Sequence, residues 1–180
     1  IIGELSDHVD MRWLLLIVAT FACQSTPRAC RDIELAPRAK EQLLQAEARV
    51  DFKTVRPCAR AGAFTVSSVY VDVIPRDTHE PRVSFVVTSH GQEAFVWSET
   101  RDMVPFTAIP AGTHHLTLAV GDIVARGFAG PSGTGVDTAY IRWRSGGITY
   151  ELAATLRPSL TEAEVRDLAD GLMTRTAVQP

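Results

Sequence analysis

Cysteine is scarce in this chain: three residues among 180, and no two of them in Cys-x-x-Cys spacing. That excludes the common dithiol redox motif and a zinc knuckle read from local spacing. Positive charge is not in surplus either, because the formal net charge is -3, so bulk electrostatics invite no nucleic acid. No apolar run approaches the roughly 20 residues needed to cross a bilayer as a helix. The motifs of several chemistries are missing as well. There is no Gly-x-Ser-x-Gly elbow, and the stretch Gly130-Pro131-Ser132-Gly133-Thr134-Gly135 lacks the lysine and helix of a phosphate-binding loop. The five histidines form no ligand pattern. His114 and His115 are adjacent, so in a strand they face opposite ways. His79 with Asp77 reads as a solvated polar loop.

What is present is ordinary globular composition, 46% hydrophobic and 22% charged. Met11-Arg12, the apolar run Trp13 to Ala19, and Thr20-Phe21-Ala22-Cys23 have the order of a signal peptide. The expected organisation is 1–10 as upstream translated sequence, 11–23 as signal peptide, 24–36 as tether, 37–173 as one α+β domain, and 174–180 as tail. Ala22-Cys23 also fits the end of a lipoprotein signal, which makes Cys23 a candidate lipidation site beside plain cleavage near Ala22. Export into an oxidising compartment would leave Cys30 and Cys58 as an even pair. A structural disulfide and two buried free thiols are both open at this point.

Hydrophobic periodicity supplies the elements. Pro37 opens a helix reaching about Arg49, with Ala39, Leu43, Ala46 and Val50 near one face. Val69, Val71 and Val73 alternate with polar residues, and Val83, Phe85 and Val87 form the next strand. A two-residue loop at His90-Gly91 sets Val87 opposite Ala94 and Phe85 opposite Val96, which sends Phe95 and Trp97 to the other face. A loop at Gly121-Asp122 pairs Val120 with Ile123 and Leu118 with Ala125. Gly146-Gly147 as a type I′ loop pairs Trp143 with Tyr150, Ile141 with Leu152, and Arg142 with Glu151. Thr161 and Glu164 form a capping box, Leu160 and Val165 a hydrophobic staple, and Val165, Leu168, Ala169 and Leu172 one apolar stripe. The expected fold is α+β: an antiparallel curved sheet of about seven strands, a leading helix, and a C-terminal helix packed on the sheet.

The run Tyr140-Ile141-Arg142-Trp143, the segment Gly146 to Leu152 and the helix Glu164 to Leu172 resemble a bacterial domain of unknown function, catalogued as DUF four-three-six-seven. That family occurs in envelope proteins and behind the membrane span of anti-sigma-factor-like proteins. Gly171 stands where the family has serine. The resemblance is carried by residues 138–173 and brings no catalytic residues with it. It implies an extracytoplasmic sensing or accessory module.

No catalytic residue, cofactor or metal ligand is assigned from the sequence. With this register the hairpin is apolar on both faces, which points to an apolar groove beneath the terminal helix, bordered by Phe95, Trp97, Trp143, Tyr150, Leu168 and Leu172. The expected function is noncatalytic binding of a lipid, peptide or envelope protein, with the membrane reached only through a lipid anchor and no nucleic-acid partner. The alternative is a hydrolase-type enzyme whose site assembles across loops.

Overall fold

A computed structural model describes residues 29–73, 80–102, 109–131 and 135–178 of the chain. The signal segment 11–23, Cys23, Asp77, His79 and Ser132 lie outside the described residues.

Two short strands open the fold, β1 (Arg31–Asp32) and β2 (Glu34–Leu35), followed by helix α1 (Pro37–Glu47) and β3 (Cys58–Ala59). Seven longer strands come next: β4 (Phe64–Val73), β5 (Pro81–Ser89), β6 (Gln92–Thr100), β7 (His114–Val120), β8 (Ile123–Pro131), β9 (Asp137–Ser145) and β10 (Ile148–Thr155). Helix α2 (Glu162–Ala177) closes the chain. The fold is α+β, and its main sheet is open and mixed, in the order β2-β4-β5-β6-β10-β9-β8-β7. All its pairs are antiparallel except β2 with β4.

The sheet has eight strands rather than about seven. The additional one is β2, which is too short to show any periodicity and lies in the segment expected to be a tether. From Arg31 onward that segment is part of the fold, with Ile33 and Leu35 buried. At the other end, the helix continues past the expected domain limit to Ala177. Thr176 is buried there and its hydroxyl accepts a hydrogen bond from Trp143 Nε1 at 3.0 Å.

Two hairpins follow the expected register. In β9–β10, Trp143 opposes Tyr150, Ile141 opposes Leu152 and Arg142 opposes Glu151. The loop glycines Gly146 and Gly147 both have positive φ (56° and 81°), as a type I′ turn requires. In β7–β8, Val120 opposes Ile123 and Leu118 opposes Ala125.

The β5–β6 hairpin differs. Ser89 pairs with Gln92 and Thr88 with Glu93, but Val87 then pairs with Phe95 and Phe85 with Trp97. Ala94 is an extra residue on β6, a β-bulge that shifts the register by one. A one-residue slip exchanges the faces, so Phe95 and Trp97 join Phe85 and Val87 instead of opposing them.

One face of the sheet is consequently apolar along its length except at Glu99 of β6. Val66 and Val69 of β4, Val83, Phe85 and Val87 of β5, and Phe95 and Trp97 of β6 are buried on it. Tyr150 and Leu152, Ile141 and Trp143, Ala125 and Ala129, and Leu116 continue it to the far edge. Ala39, Leu43 and Ala46 of α1 join the core beside β4, and Val165, Leu168, Ala169, Leu172 and Met173 of α2 join it beyond.

The starts of α1 and α2 are set by local chemistry. Pro37 occupies the first turn of α1, where a missing N–H costs nothing. Thr161 caps α2: its hydroxyl accepts from the Glu164 amide, and the Glu164 carboxylate accepts from the Thr161 amide. The Thr161 amide, and the Thr161 hydroxyl that also donates to the carboxylate, hold the Glu164 carboxyl below its ordinary value.

Cys30 and Cys58 are joined, with Cα atoms 5.4 Å apart. The bridge sits at the β1–β3 ribbon, which is bound to α2 by ion pairs of Arg60 with Asp167 and Asp170, and of Arg175 with Asp32. The closed loop spans 28 residues, which the chain-entropy model values at roughly 3 to 4 kcal/mol. Gly171 packs against it: a Cβ there would lie 3.3 Å from Cys30 Cβ.

Candidate functional site

The six residues expected to border an apolar groove are brought together, but as core. Phe95, Trp97, Trp143, Tyr150, Leu168 and Leu172 are all 4% exposed or less. Trp97, Trp143 and Tyr150 form one aromatic stack, with ring centroids 5.3 to 5.8 Å apart. Phe95 meets Phe64 edge-on at 5.5 Å. The reason is the bulge at Ala94. With both aromatics of β6 turned to the helix side, the space beneath the helices is filled by the chain itself.

A residue that sequence reasoning passed over stands inside this core. Glu99 shares the apolar face with Trp97, two positions before it, and is completely buried. Both carboxylate oxygens accept from the Val55 amide, at 2.9 and 3.0 Å, and Oε1 also accepts from Trp97 Nε1 at 2.7 Å. Trp97 Nε1 is shared with the Val55 carbonyl at 3.1 Å. Burial pushes the Glu99 carboxyl up to about 8 against the opposing pull of these donors, and the nearby Glu47 carboxylate adds to the rise. The Tyr150 phenol is raised in turn, first by burial and then by the Glu99 charge. Parity with Trp97 was the available signal, since residues two apart in a strand share a face.

Chemically, Glu99 works as a clamp. It pins the segment between α1 and β3 onto the sheet, and its oxygens are occupied by the protein. Beside it, a cleft of about 370 Å³ is lined by Asp51, Phe52, Lys53, Arg101, Gly146, Ile148 and Tyr150. Arg101 and Asp51 are ion-paired across it at 2.8 Å.

The opposite face of the sheet carries polar rows beside one row of Val86, Val96, Ala153, Tyr140 and Phe128. Ser84 and Ser98 share a hydrogen bond at 2.9 Å. Glu151 accepts from Tyr140 at 2.6 Å, pairs with Arg142 at 2.6 Å, and meets Arg82 at 3.5 Å. Arg82 in turn binds Asp72 through two nitrogens. Burial is the main cause that raises the Tyr140 phenol, and the Glu151 charge is the next. Phe128 stacks on Tyr140 at 5.5 Å, and Arg126 and Arg144 stand exposed nearby.

Toward the far edge this face becomes basic. β7, β8 and β9 present Arg126, Arg142 and Arg144 there, with His115 and Thr117. His114 is on the other side, 3.0 Å from Glu162 of α2. This face and the β7 edge beside it form the candidate interaction surface. Among the described residues no helix is long and apolar enough to cross a membrane. The Cys30–Cys58 bond points to an oxidising, extracytoplasmic environment. No protein-family model, curated protein or solved structure matches the chain.

Proposed function

We propose that the chain is a noncatalytic binding or sensing module of the bacterial envelope, and that its partner is a protein or peptide rather than a lipid. The observation that carries this reading is the disposition of the sheet. Its apolar face is filled by its own helices, while the far end of the opposite face, with His115, Thr117, Arg126 and Arg144, and the β7 edge are exposed among the described residues. A lipid tail needs an apolar space, and the expected groove is occupied. A protein partner needs an accessible surface with directional groups, which the polar rows supply. The envelope assignment rests on the disulfide and on the resemblance of residues 138–173 to DUF four-three-six-seven.

The test is site-specific photo-cross-linking from Val124, which lies on the polar face and is 53% exposed. A probe there should give one discrete protein adduct in a bacterial envelope fraction. Adducts to lipid alone, or a smear with no discrete product, would overturn the reading.

A hydrolase-type enzyme is the second reading. Glu99 favours it, since a carboxyl pushed up to about 8 beside a cleft is a pattern shared with catalytic acids. Its full burial and its engagement with Val55 and Trp97 favour the clamp instead.

A further inference from the structure

A strand at the edge of a sheet carries a row of backbone amides and carbonyls with no partner, and proteins commonly blunt such rows with charge, proline or a bulge. β7 is an edge of this kind, paired among the described residues with β8 alone. The segment His114–Val120 contains no Asp, Glu, Lys, Arg or Pro, and its register with β8 runs unbroken over all seven positions. Toward the helices, Leu116 is buried, but Leu118 and Val120 are only partly covered. On the polar face His115, Thr117 and Ala119 are exposed.

The row through Thr117 contains a charge without a counterpart. Across the strands it runs Glu151, Arg142, Arg126, Thr117. Glu151 is matched by Arg142. Arg126 then lies directly opposite Arg142, a like-charge pairing that costs stability on a sheet surface. Its side chain is exposed and makes no hydrogen bond or ion pair among the described residues. The position beyond Thr117, where the next strand would lie, is where a carboxylate would complete the row. Strands are about 4.8 Å apart, so that position is roughly 10 Å from the Arg126 backbone, a gap that an arginine and a glutamate side chain span together.

The geometry points to the β7 edge as a docking site for an extended segment of a partner protein that alternates apolar and acidic residues. The segment adds to the sheet as a further strand. Its apolar residues cover Leu118 and Val120 on the helix side, and an acidic residue opposite Thr117 meets Arg126. Main-chain bonds supply affinity in this mode and alternate side chains supply specificity. A second copy of the chain fits less well, because β7 brings no carboxylate to the Arg126 row. The inference rests on the binding-module reading and narrows it to one edge.

The test uses the oxidised full chain and a seven-residue peptide alternating valine and glutamate, followed by amide chemical shifts and hydrogen exchange. The peptide should shift and protect β7 amides. Arg126→Glu should weaken it roughly tenfold and favour a valine–lysine peptide instead. A valine–glutamate peptide methylated on its backbone nitrogens should not bind. The inference is overturned if Arg126→Glu leaves affinity unchanged, if the methylated peptide binds equally, or if the shifts fall away from β7. Absence of peptide binding also overturns it. If the chain then sediments as a dimer that Thr117→Lys dissociates, the edge belongs to a second copy. None of these outcomes removes a protein adduct formed from Val124, so failure at the edge is distinguishable from failure of the binding-module reading.

Discussion

The two edges of the sheet receive opposite treatment. At the β4 edge, Glu34 and Leu35 lie alongside Thr65 and Val66 as a parallel strand, the Ala36 amide donates to the Val66 carbonyl, and the Val69 amide donates to Gln42 of α1. At the β7 edge nothing comparable is present among the described residues. Closing an edge consumes polypeptide, and here residues 34–42 do that work on one side. The contrast teaches that the bare edge is not a general property of this fold, since the same chain carries a strand and a helix side chain to cover the other one.

The contrast breaks if the β7 side is bare merely because it is loosely held. Helix α2 is what holds it, through Leu172 in the core and through Trp143 and Ser145, which both donate to Thr176. Leu172→Ala should therefore cost about 2 to 5 kcal/mol, as for other fully buried leucines. Thr161→Ala, which breaks only the exposed cap, should cost about 1 kcal/mol. Denaturant melts of the two variants give the ordering. If Leu172→Ala is no worse than Thr161→Ala, the helix is not packed as described and the β7 edge is simply weak structure.

Much of the frame on the β7 side was legible in the sequence, and the reason is local. In β9–β10 and β7–β8 a two-residue turn joins strands that pair without interruption, so parity counted from the loop holds along the whole ladder. The capping box was legible for the same reason, because its partners are three residues apart. The β5–β6 hairpin defeated this procedure because a bulge leaves no mark at the loop. Only the placement of Phe95, Trp97 and Phe85 on one face would have demanded it. The groove expected from the uncorrected register disappeared with the correction. β2 was not legible because it depends on the contact of Leu35 with Val66, and for Glu99 parity could give the face but not the distant partner Val55.

Glu99 sharpens the comparison from the β4 side, where it clamps the segment that follows α1. Glu99→Gln keeps an oxygen for Trp97 and Val55 but loses the second acceptor, and should cost about 1 to 3 kcal/mol below pH 4.5, where the carboxyl is neutral in both states. The pH dependence identifies the group. The carboxyl titrates near 4.5 when unfolded and at about 8 when folded, so the unfolded chain gives up its proton first. Its contribution to stability is complete below pH 4.5, falls as pH rises from 4.5 to 8 by at most about 1.4 kcal/mol per unit, and is level above that. Melts across this window should show a slope in the parent chain that Glu99→Gln flattens. Equal slopes in both would mean that Glu99 is ionised in the fold throughout.

The smallest expected effect lies at the closed edge itself. Gln42 reaches from α1 to accept the Val69 amide at 3.0 Å, just beyond the point where β2 stops covering β4. Gln42→Ala removes that acceptor while leaving the buried stripe of α1 in place, because Ala39, Leu43 and Ala46 carry the packing. The loss should be about 1 kcal/mol, since water replaces part of the bond at an edge. Hydrogen exchange at Val69 is the sharper measurement. Its amide should be protected in the parent chain and exchange much faster in Gln42→Ala, approaching the rates of the outward amides of β7. Unchanged protection at Val69 would show that another group closes the edge. The difference between the two edges would then lie in the backbone of β2 alone rather than in a side chain placed by α1.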